Sequence, residues 1–364
     1  MWHAPAMSYD DAPHQQDVAA DGPPKARRVL MLGATGTAGR ATVRALARRG
    51  HTVICLVRRR PAAADDRATG EAAEWPDEVE LRPADLTDAD SLRRDGFRGE
   101  SFDALVSCLA SRNGVPADAW AIDHRAHSLA LAAAKAAGVP QMVLLSAICV
   151  QRPRLAFQHA KLAFERELIE SGLTYSIVRP TAFFKSLSGQ VERVRRGKPY
   201  LIFGDGRQTA CKPISDDDLG DYIADCLDDP GRQDRILPIG GPGPAITPRE
   251  QGERLFALTG RTPRFRQVPI RVFVVIEGVL TVFGRVSRRC AAKAELARIG
   301  RYYATESMLV FDPVADRHDA DATPSTGTAT LFEHYARLLD GSATAERGEH
   351  AVFRDPARHD GAGR

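Results

Sequence analysis

The sequence predicts an α/β protein built on a doubly wound parallel sheet, with a smaller C-terminal lobe. Three observations carry that reading. Near-continuous apolar runs, which suit strands covered on both faces, alternate with Ala- and Leu-rich helical stretches roughly every 25–30 residues up to Thr181. The first run, Val29-Leu30-Met31-Leu32, enters a glycine-rich turn that opens a helix over Arg40 to Arg49. From about residue 186 the rhythm changes to charged helices and tight turns.

In the first unit Gly33, Gly36 and Gly39 stand three apart between strand and helix. Gly33 permits the tight turn, Gly36 lets a pyrophosphate approach the backbone, and Gly39 lets helix and strand pack closely. Thr35 and Thr37 belong to the same loop, whose helix N-terminus presents free N–H groups and a positive dipole end to phosphate. This G-x-x-G-x-x-G form resembles the loop of short-chain and extended dehydrogenase/reductases, which implies a Rossmann dinucleotide-binding domain. The second strand, His51 to Val57, ends at Arg58, Arg59 and Arg60, about 20 residues beyond Gly39. An NAD enzyme carries an acidic residue there for the ribose hydroxyls; guanidinium forks at Arg58 and Arg59 suit a 2′-phosphate instead, so NADPH is the expected cofactor.

Composition narrows the class. The chain has 364 residues and a formal net charge of +3, near balance, which gives no reason to invoke nucleic acid. Cysteines 55, 108, 149, 211, 226 and 290 are scattered without C-x-x-C spacing, so reduced thiols are expected rather than disulfides or zinc. No metal-ligand cluster and no Ser/His/Asp set stands out. Residues 1–24 are polar, with four aspartates (Asp10, Asp11, Asp17, Asp21) and no arginine, unlike a signal or transit peptide. No apolar run reaches the ~18 residues of a spanning helix. The expected organisation is a disordered tail over 1–24, an NADP-binding domain over 25–185, a substrate lobe over 186–340 interleaved with a last sheet strand, and a disordered tail over 341–364. The expected location is cytoplasmic.

Further elements follow in order. Ala62 to Pro76 is a charged surface insert, and Val79 to Pro83 a third strand leading to Asp85 and Leu86. Asp85 suits the adenine amino group and Leu86 its ring, while Asp88 suits a helix cap. Phe102 to Leu109 is the fourth strand, with Ser107 to Ser111 passing beneath the ribose. Residues 119–137 form a helix stopped by Gly138 and Pro140, and Met142 to Ala147 is the fifth strand. Phe157 to Glu170 is helical, and Tyr175 to Thr181 is the sixth strand. Beyond it, 189–197 reads as a basic helix, Gly204-Asp205-Gly206 as a turn, Asp216 as a helix start and Ile236 to Gly240 as a short strand. Thr247 with Glu250 forms a capping box for a helix to about Leu258. Over 268–303, Val272 to Phe283 is apolar except for Glu277, Gly278 and Thr281, and precedes Arg285, Arg288, Arg289 and Lys293. That segment is either a docking helix for a membrane surface or greasy substrate, or a buried helix with a solvated basic end.

The chemistry is expected at the carboxyl ends of the fifth and sixth strands, where ligands of open α/β sheets bind. Short-chain reductases hold a Tyr-x-x-x-Lys pair on the helix after the fifth strand. Here Lys161 stands in place but its partner is Phe157, which has no proton to give. That departure argues against carbonyl reduction and agrees with reduction of a carbon–carbon double bond, or with no catalysis. Lys161 and Ser146 are the candidate catalytic residues, Lys161 also binding the ribose. Arg179 and Pro180 flank the nicotinamide, Phe157, Phe183 and Phe184 supply apolar walls, and His159 reads as a surface histidine.

The run from Leu144 to Pro153 (LLSAICVQRP), continuing to Phe157-Gln158-His159-Ala160-Lys161-Leu162, resembles the divinyl chlorophyllide a 8-vinyl-reductases. Tyr175 to Ser186, Gly204-Asp205-Gly206, Cys211 to Ser215 and Asp218-Leu219 match the same pattern, and Phe157 agrees with it. The resemblance implies a bacterial member that uses NADPH to reduce the 8-vinyl group of a Mg-tetrapyrrole, divinyl chlorophyllide or its protochlorophyllide relative, to ethyl. If 268–303 is the docking helix rather than a buried one, peripheral contact with a photosynthetic membrane through that segment is expected. Arg152 and Arg154 would face the propionate. The rival expectations are an isoflavone-reductase-like enzyme acting on another aromatic substrate and a non-catalytic NADP-binding redox sensor.

Overall fold

A computed structural model describes residues 25–58, 75–112, 114–284 and 287–343. The expected tails over 1–24 and beyond 343, and the surface insert up to residue 74, lie outside the described residues. Among those described, seven parallel strands form one sheet: β1 (Arg28–Leu32), β2 (Thr52–Val57), β3 (Val79–Pro83), β4 (Ala104–Ser107), β5 (Gln141–Leu145), β6 (Thr174–Pro180) and, after the short strand β7 (Tyr200–Phe203) that lies outside this sheet, β8 (Arg235–Ile239). Their spatial order is β3-β2-β1-β4-β5-β6-β8. The chain therefore reverses its direction of travel across the sheet between β1 and β4, and a crevice opens beyond their carboxyl ends.

The apolar runs alternate between two cores. Val29, Met31, Val53, Cys55, Ala104, Val106, Val143 and Leu145 face one side, against Val43 and Leu46 of the helix Thr37–Arg48 and Leu219 and Ile223 of the helix Asp216–Asp225. Leu30, Leu32, Ile54, Leu56, Leu105, Met142 and Leu144 face the other, against Ala130 and Leu131 of the helix His127–Ala136 and Phe164 and Leu168 of the helix Ala156–Ile169. Burial on both faces is why these strands carry almost no polar residues. The expected helix over 119–137 is continuous from Pro116 to Ala136, but it widens to π-helical turns over Trp120–Ala126.

The expected capping box of Thr247 and Glu250 closes over the helix Pro248–Leu258. The helix expected to start at Asp216 does so, and Ser215 caps it by accepting from the Asp218 N–H. A second capping box, Thr330 with Glu333, starts the helix Leu331–Asp340, which sequence reading left unassigned. Also unforeseen is a small parallel pair, β7 (Tyr200–Phe203) with β9 (Phe265–Val268), and a hairpin of β10 (Val310–Asp312) with β11 (Arg317–Asp319). Tyr200, Ile202, Leu255, Phe256 and Tyr335 form a separate core between the small pair and its helices. The 268–303 segment folds as two helices, Arg271–Gly284 and Arg288–Thr305, joined by Arg298, which reaches Glu277 at 3.0 Å and Glu295 at 3.2 Å.

Candidate active site

The glycine loop closes over β1 by exclusion of side chains. Gly33 has φ +76°, and a Cβ there would lie 2.5 Å from the Leu109 nitrogen. A Cβ on Gly39 would lie 2.1 Å from the Gly33 carbonyl oxygen. Gly36 differs: a Cβ there would meet only the Gly33 oxygen, at an ordinary 3.6 Å. Packing within the chain requires Gly33 and Gly39, whereas Gly36 is spare unless something approaches from outside. Gly36 caps the helix Thr37–Arg48 without a side-chain bond, and no acidic residue occupies its first turn. Thr35 and Gly36 are exposed. This cradle fits the pyrophosphate of a dinucleotide.

Around it, Arg58 is exposed just past β2, and Arg59 lies outside the described residues. Asp85 is exposed past β3. Its Oδ1 accepts from the Thr87 N–H (2.8 Å) and hydroxyl (2.7 Å), which hold its carboxyl below the usual range. Asp88 caps the short helix Ala89–Ser91, as expected of it. Leu86 is buried in the sheet core and lends a ring little surface. Ser107 is fully buried, and its hydroxyl shares a 2.8 Å hydrogen bond with His127 Nε2. His127 Nδ1 in turn meets the Ile122 carbonyl at 2.9 Å. Burial, reinforced by the Lys161 charge, pushes the His127 pKa down to about 4.

Lys161 projects from the helix Ala156–Ile169, and its ammonium lies 3.1 Å from Asp123 Oδ1. The same oxygen accepts from the Ser111 N–H at 3.3 Å, and Asp123 Oδ2 is buried with no hydrogen-bond partner among the described residues. Asp123 sits on the π-helical turns, a rare geometry that often marks functional sites. Sequence reasoning missed it, because a single aspartate in an Ala-rich amphipathic helix looks solvated. The nearest signal was the polar cluster Asp123, His124, Arg125, His127 and Ser128 ahead of the Ala- and Leu-rich half of the helix.

One turn beyond Lys161 stands Glu165, 2% exposed. It accepts the Ser146 hydroxyl at 2.5 Å and a two-pronged fork from Arg179. Ser146 and Arg179 are thereby brought together at the ends of β5 and β6, but both side chains are committed to Glu165 rather than to a ligand. They stitch the Lys161 helix to the sheet edge. Pro180 is buried beside Ile239 at the end of β6.

The expected apolar walls separate. Phe157 is half-buried against Ile148, Cys149, Ile299 and Tyr302. Phe183 packs on the main sheet core and pairs with Ile214. Phe184 is a correction: it is buried in the C-terminal core against His334, because its helix turns that ring away from the crevice. Arg152 and Arg154 both pair with Glu306, at 3.2 and 2.9 Å, and Arg152 stacks over Phe311. His159 is exposed, as expected. An open cleft of about 640 Å³ beside Leu155 is lined by Arg154, Arg298 and Arg301 and by Glu277 and Glu295; Arg154 pairs with Glu306, Arg298 with both lining carboxylates and Arg301 with Glu277. All six cysteines are free.

Comparison with known proteins accords with this geometry. A family model described as NAD(P)H-binding matches residues 33–230. A protein of Oryza sativa subsp. indica named divinyl chlorophyllide a 8-vinyl-reductase, chloroplastic, is 49% identical over 343 residues, covering 91% of this chain and 83% of its own. The Arabidopsis thaliana protein of the same name is 46% identical, covering 90% of this chain and 80% of its own. Among solved structures, leucoanthocyanidin reductase with NADPH from Vitis vinifera shares the fold at a TM-score of 0.63 and 14% identity, covering 86% of this chain and 99% of its own. An NADPH-dependent quinone oxidoreductase of Escherichia coli, solved with NADPH, shares it at 0.60 and 19%, covering 85% and 99%.

Two predictions follow from the buried groups. Glu165→Ala strands the Arg179 guanidinium, and chemical denaturation should show a loss of ~3–5 kcal/mol; a loss near zero would remove the network from the fold's support. His127 titrates near 4 when folded and near 6.5 when unfolded, so folding expels a proton between those values and stability falls as pH drops through that window. Between pH 7 and pH 5, urea unfolding should cost the wild type about 2 kcal/mol more than His127→Gln. Equal losses would contradict a neutral buried imidazole.

Proposed function

Because the chain belongs to the divinyl chlorophyllide a 8-vinyl-reductase family, we propose that it reduces the 8-vinyl group of divinyl chlorophyllide a, or of its protochlorophyllide relative, to ethyl with NADPH. The reaction belongs to chlorophyll or bacteriochlorophyll synthesis. The observation that carries this reading is Phe157 one turn before Lys161: the helix keeps the cation that holds a nicotinamide ribose and lacks the phenol that carbonyl reduction needs. When bound, the nicotinamide supplies a hydride.

The remaining work falls to the chain's own residues. Gly33, Gly36 and Gly39, with Thr35 and Thr37, hold the pyrophosphate on the helix N-terminus. Arg58, together with Arg59, takes the 2′-phosphate, and Asp85 takes the adenine edge. Lys161 holds the ribose hydroxyls, aimed by the buried Asp123. Ser107, Ser146 and Arg179 act indirectly, through His127 and Glu165. Phe157 forms the apolar wall at the reacting end. Its half-buried ring suits the flat macrocycle, and the field of Lys161 suits negative charge developing in it.

Among the described residues no helix is long and apolar enough to cross a membrane. Val272, Ile276 and Val279 are spaced to share one helix face and are 41–52% exposed. We assign peripheral contact with a photosynthetic membrane to this stripe, the rest of the protein standing in the cytoplasm.

Anaerobic incubation of the purified protein with divinyl chlorophyllide a tests the reading. The Soret band should shift to the blue with NADPH and barely move with NADH, and Arg58→Ala should raise the KM for NADPH roughly tenfold without altering the response to NADH. No shift despite NADPH binding would overturn the assigned substrate.

A further inference from the structure

If Phe157 cannot give a proton, another group must, because adding a hydride to a vinyl group leaves a carbanion. The helix Arg288–Thr305 lies across the Phe157 end of the site. A Cβ on Gly114 would touch both Ile299, at 2.9 Å, and Phe157, at 3.6 Å, so these side chains meet over that glycine. One turn after Ile299, on the same helix face, stands Tyr303. Its hydroxyl donates to the Cys149 thiol at 3.9 Å, and Cys149 lies three residues beyond Ser146, where the Lys161 charge reaches it.

The neighbouring Tyr302 provides a contrast. Its hydroxyl donates to the backbone carbonyls of Cys149, at 2.8 Å, and Arg152, at 3.1 Å, and its ring is 5% exposed. Tyr302 is bolted into the fold. Tyr303 is 44% exposed, and among the described residues its hydroxyl bonds only a thiol, a weak acceptor that a substrate can replace at little cost. The two rings meet edge to face at 5.6 Å, so the fixed tyrosine orients the loose one.

We propose that Tyr303 is the proton donor of the vinyl reduction, its hydroxyl reaching the reacting carbon from the opposite element to the one that carries Phe157. The proposal rests on the vinyl-reductase reading above. The balance is complete. Hydride addition to one vinyl carbon breaks the π bond and leaves its electron pair on the other carbon and the conjugated macrocycle. The Tyr303 O–H bond then breaks, its proton forms the second C–H bond, and water reprotonates the phenolate. The net reaction consumes the vinyl compound, one NADPH and one proton, and yields the ethyl compound and NADP⁺. Partial desolvation at the hydroxyl end, with Cys149 beside it, raises the phenol above its usual range, so Tyr303 stays protonated until that moment.

The test compares Tyr303→Phe with Tyr302→Phe by three readouts. Binding of divinyl chlorophyllide a to protein without NADPH, followed by its Soret perturbation, should be within about twofold of wild type for Tyr303→Phe. The single-turnover rate with NADPH should fall about 100-fold or more in Tyr303→Phe and recover in part when a small buffer acid is added. Tyr302→Phe should keep its rate within about threefold and unfold at a lower temperature. A Tyr303→Phe rate within threefold of wild type overturns the proposal and leaves the vinyl-reductase reading standing. Loss of macrocycle binding in Tyr303→Phe also overturns it, making Tyr303 a wall. A wild type that binds NADPH but never reduces the vinyl group overturns both.

Discussion

The fold and its cofactor site depend on one close approach. The carbonyl of Gly33 occupies the space that a side chain on residue 39 would need, and the backbone of Cys108 and Leu109 closes on Gly33 itself. Helix Thr37–Arg48 can then seat its N-terminus at the junction of β1 and β4, where the sheet changes direction. Without that approach the unpaired N–H groups would face no crevice. On the other side of the turn, no contact among the described residues requires Gly36 to be glycine, and its bareness leaves room for a phosphate to approach.

A second constraint sets the reacting end. Glu165 draws Ser146 and Arg179 together from two strand ends, and Asp123 draws Lys161 from across two helices. Both anchors are buried carboxylates on or against the helix Ala156–Ile169. A buried charge tolerates little displacement once paired, because separation leaves it desolvated and alone. The lysine is thereby held in one pose without any help from the residue at 157.

Sequence reading recovers what is local or periodic. The both-face apolar runs make the seven-stranded sheet legible, and Asp88 and the Thr247–Glu250 box announce their helices because a cap involves only residues within one turn. It fails where partners are distant. Whether Ser107 meets a ribose or His127, or Arg179 a cofactor or Glu165, depends on contacts that strand order creates. Arg152 and Arg154 look free until Glu306 folds back onto them. Strands β7 and β9 are short and half-buried, and their pattern is too brief to separate from loop. Tyr303 is silent in sequence for the same reason, since it lies far along the chain from Cys149.

The account assigns the two new hydrogens of the ethyl group to different sources, a hydride held in place through Lys161 and a proton from the protein. The most direct measurement is the mass of the product formed in ordinary water from NADPH deuterated at the hydride position. The account predicts one deuterium in each 8-ethyl group, and one again when unlabelled NADPH is used in heavy water. Product free of deuterium in the first experiment would contradict hydride transfer and with it the assigned reaction.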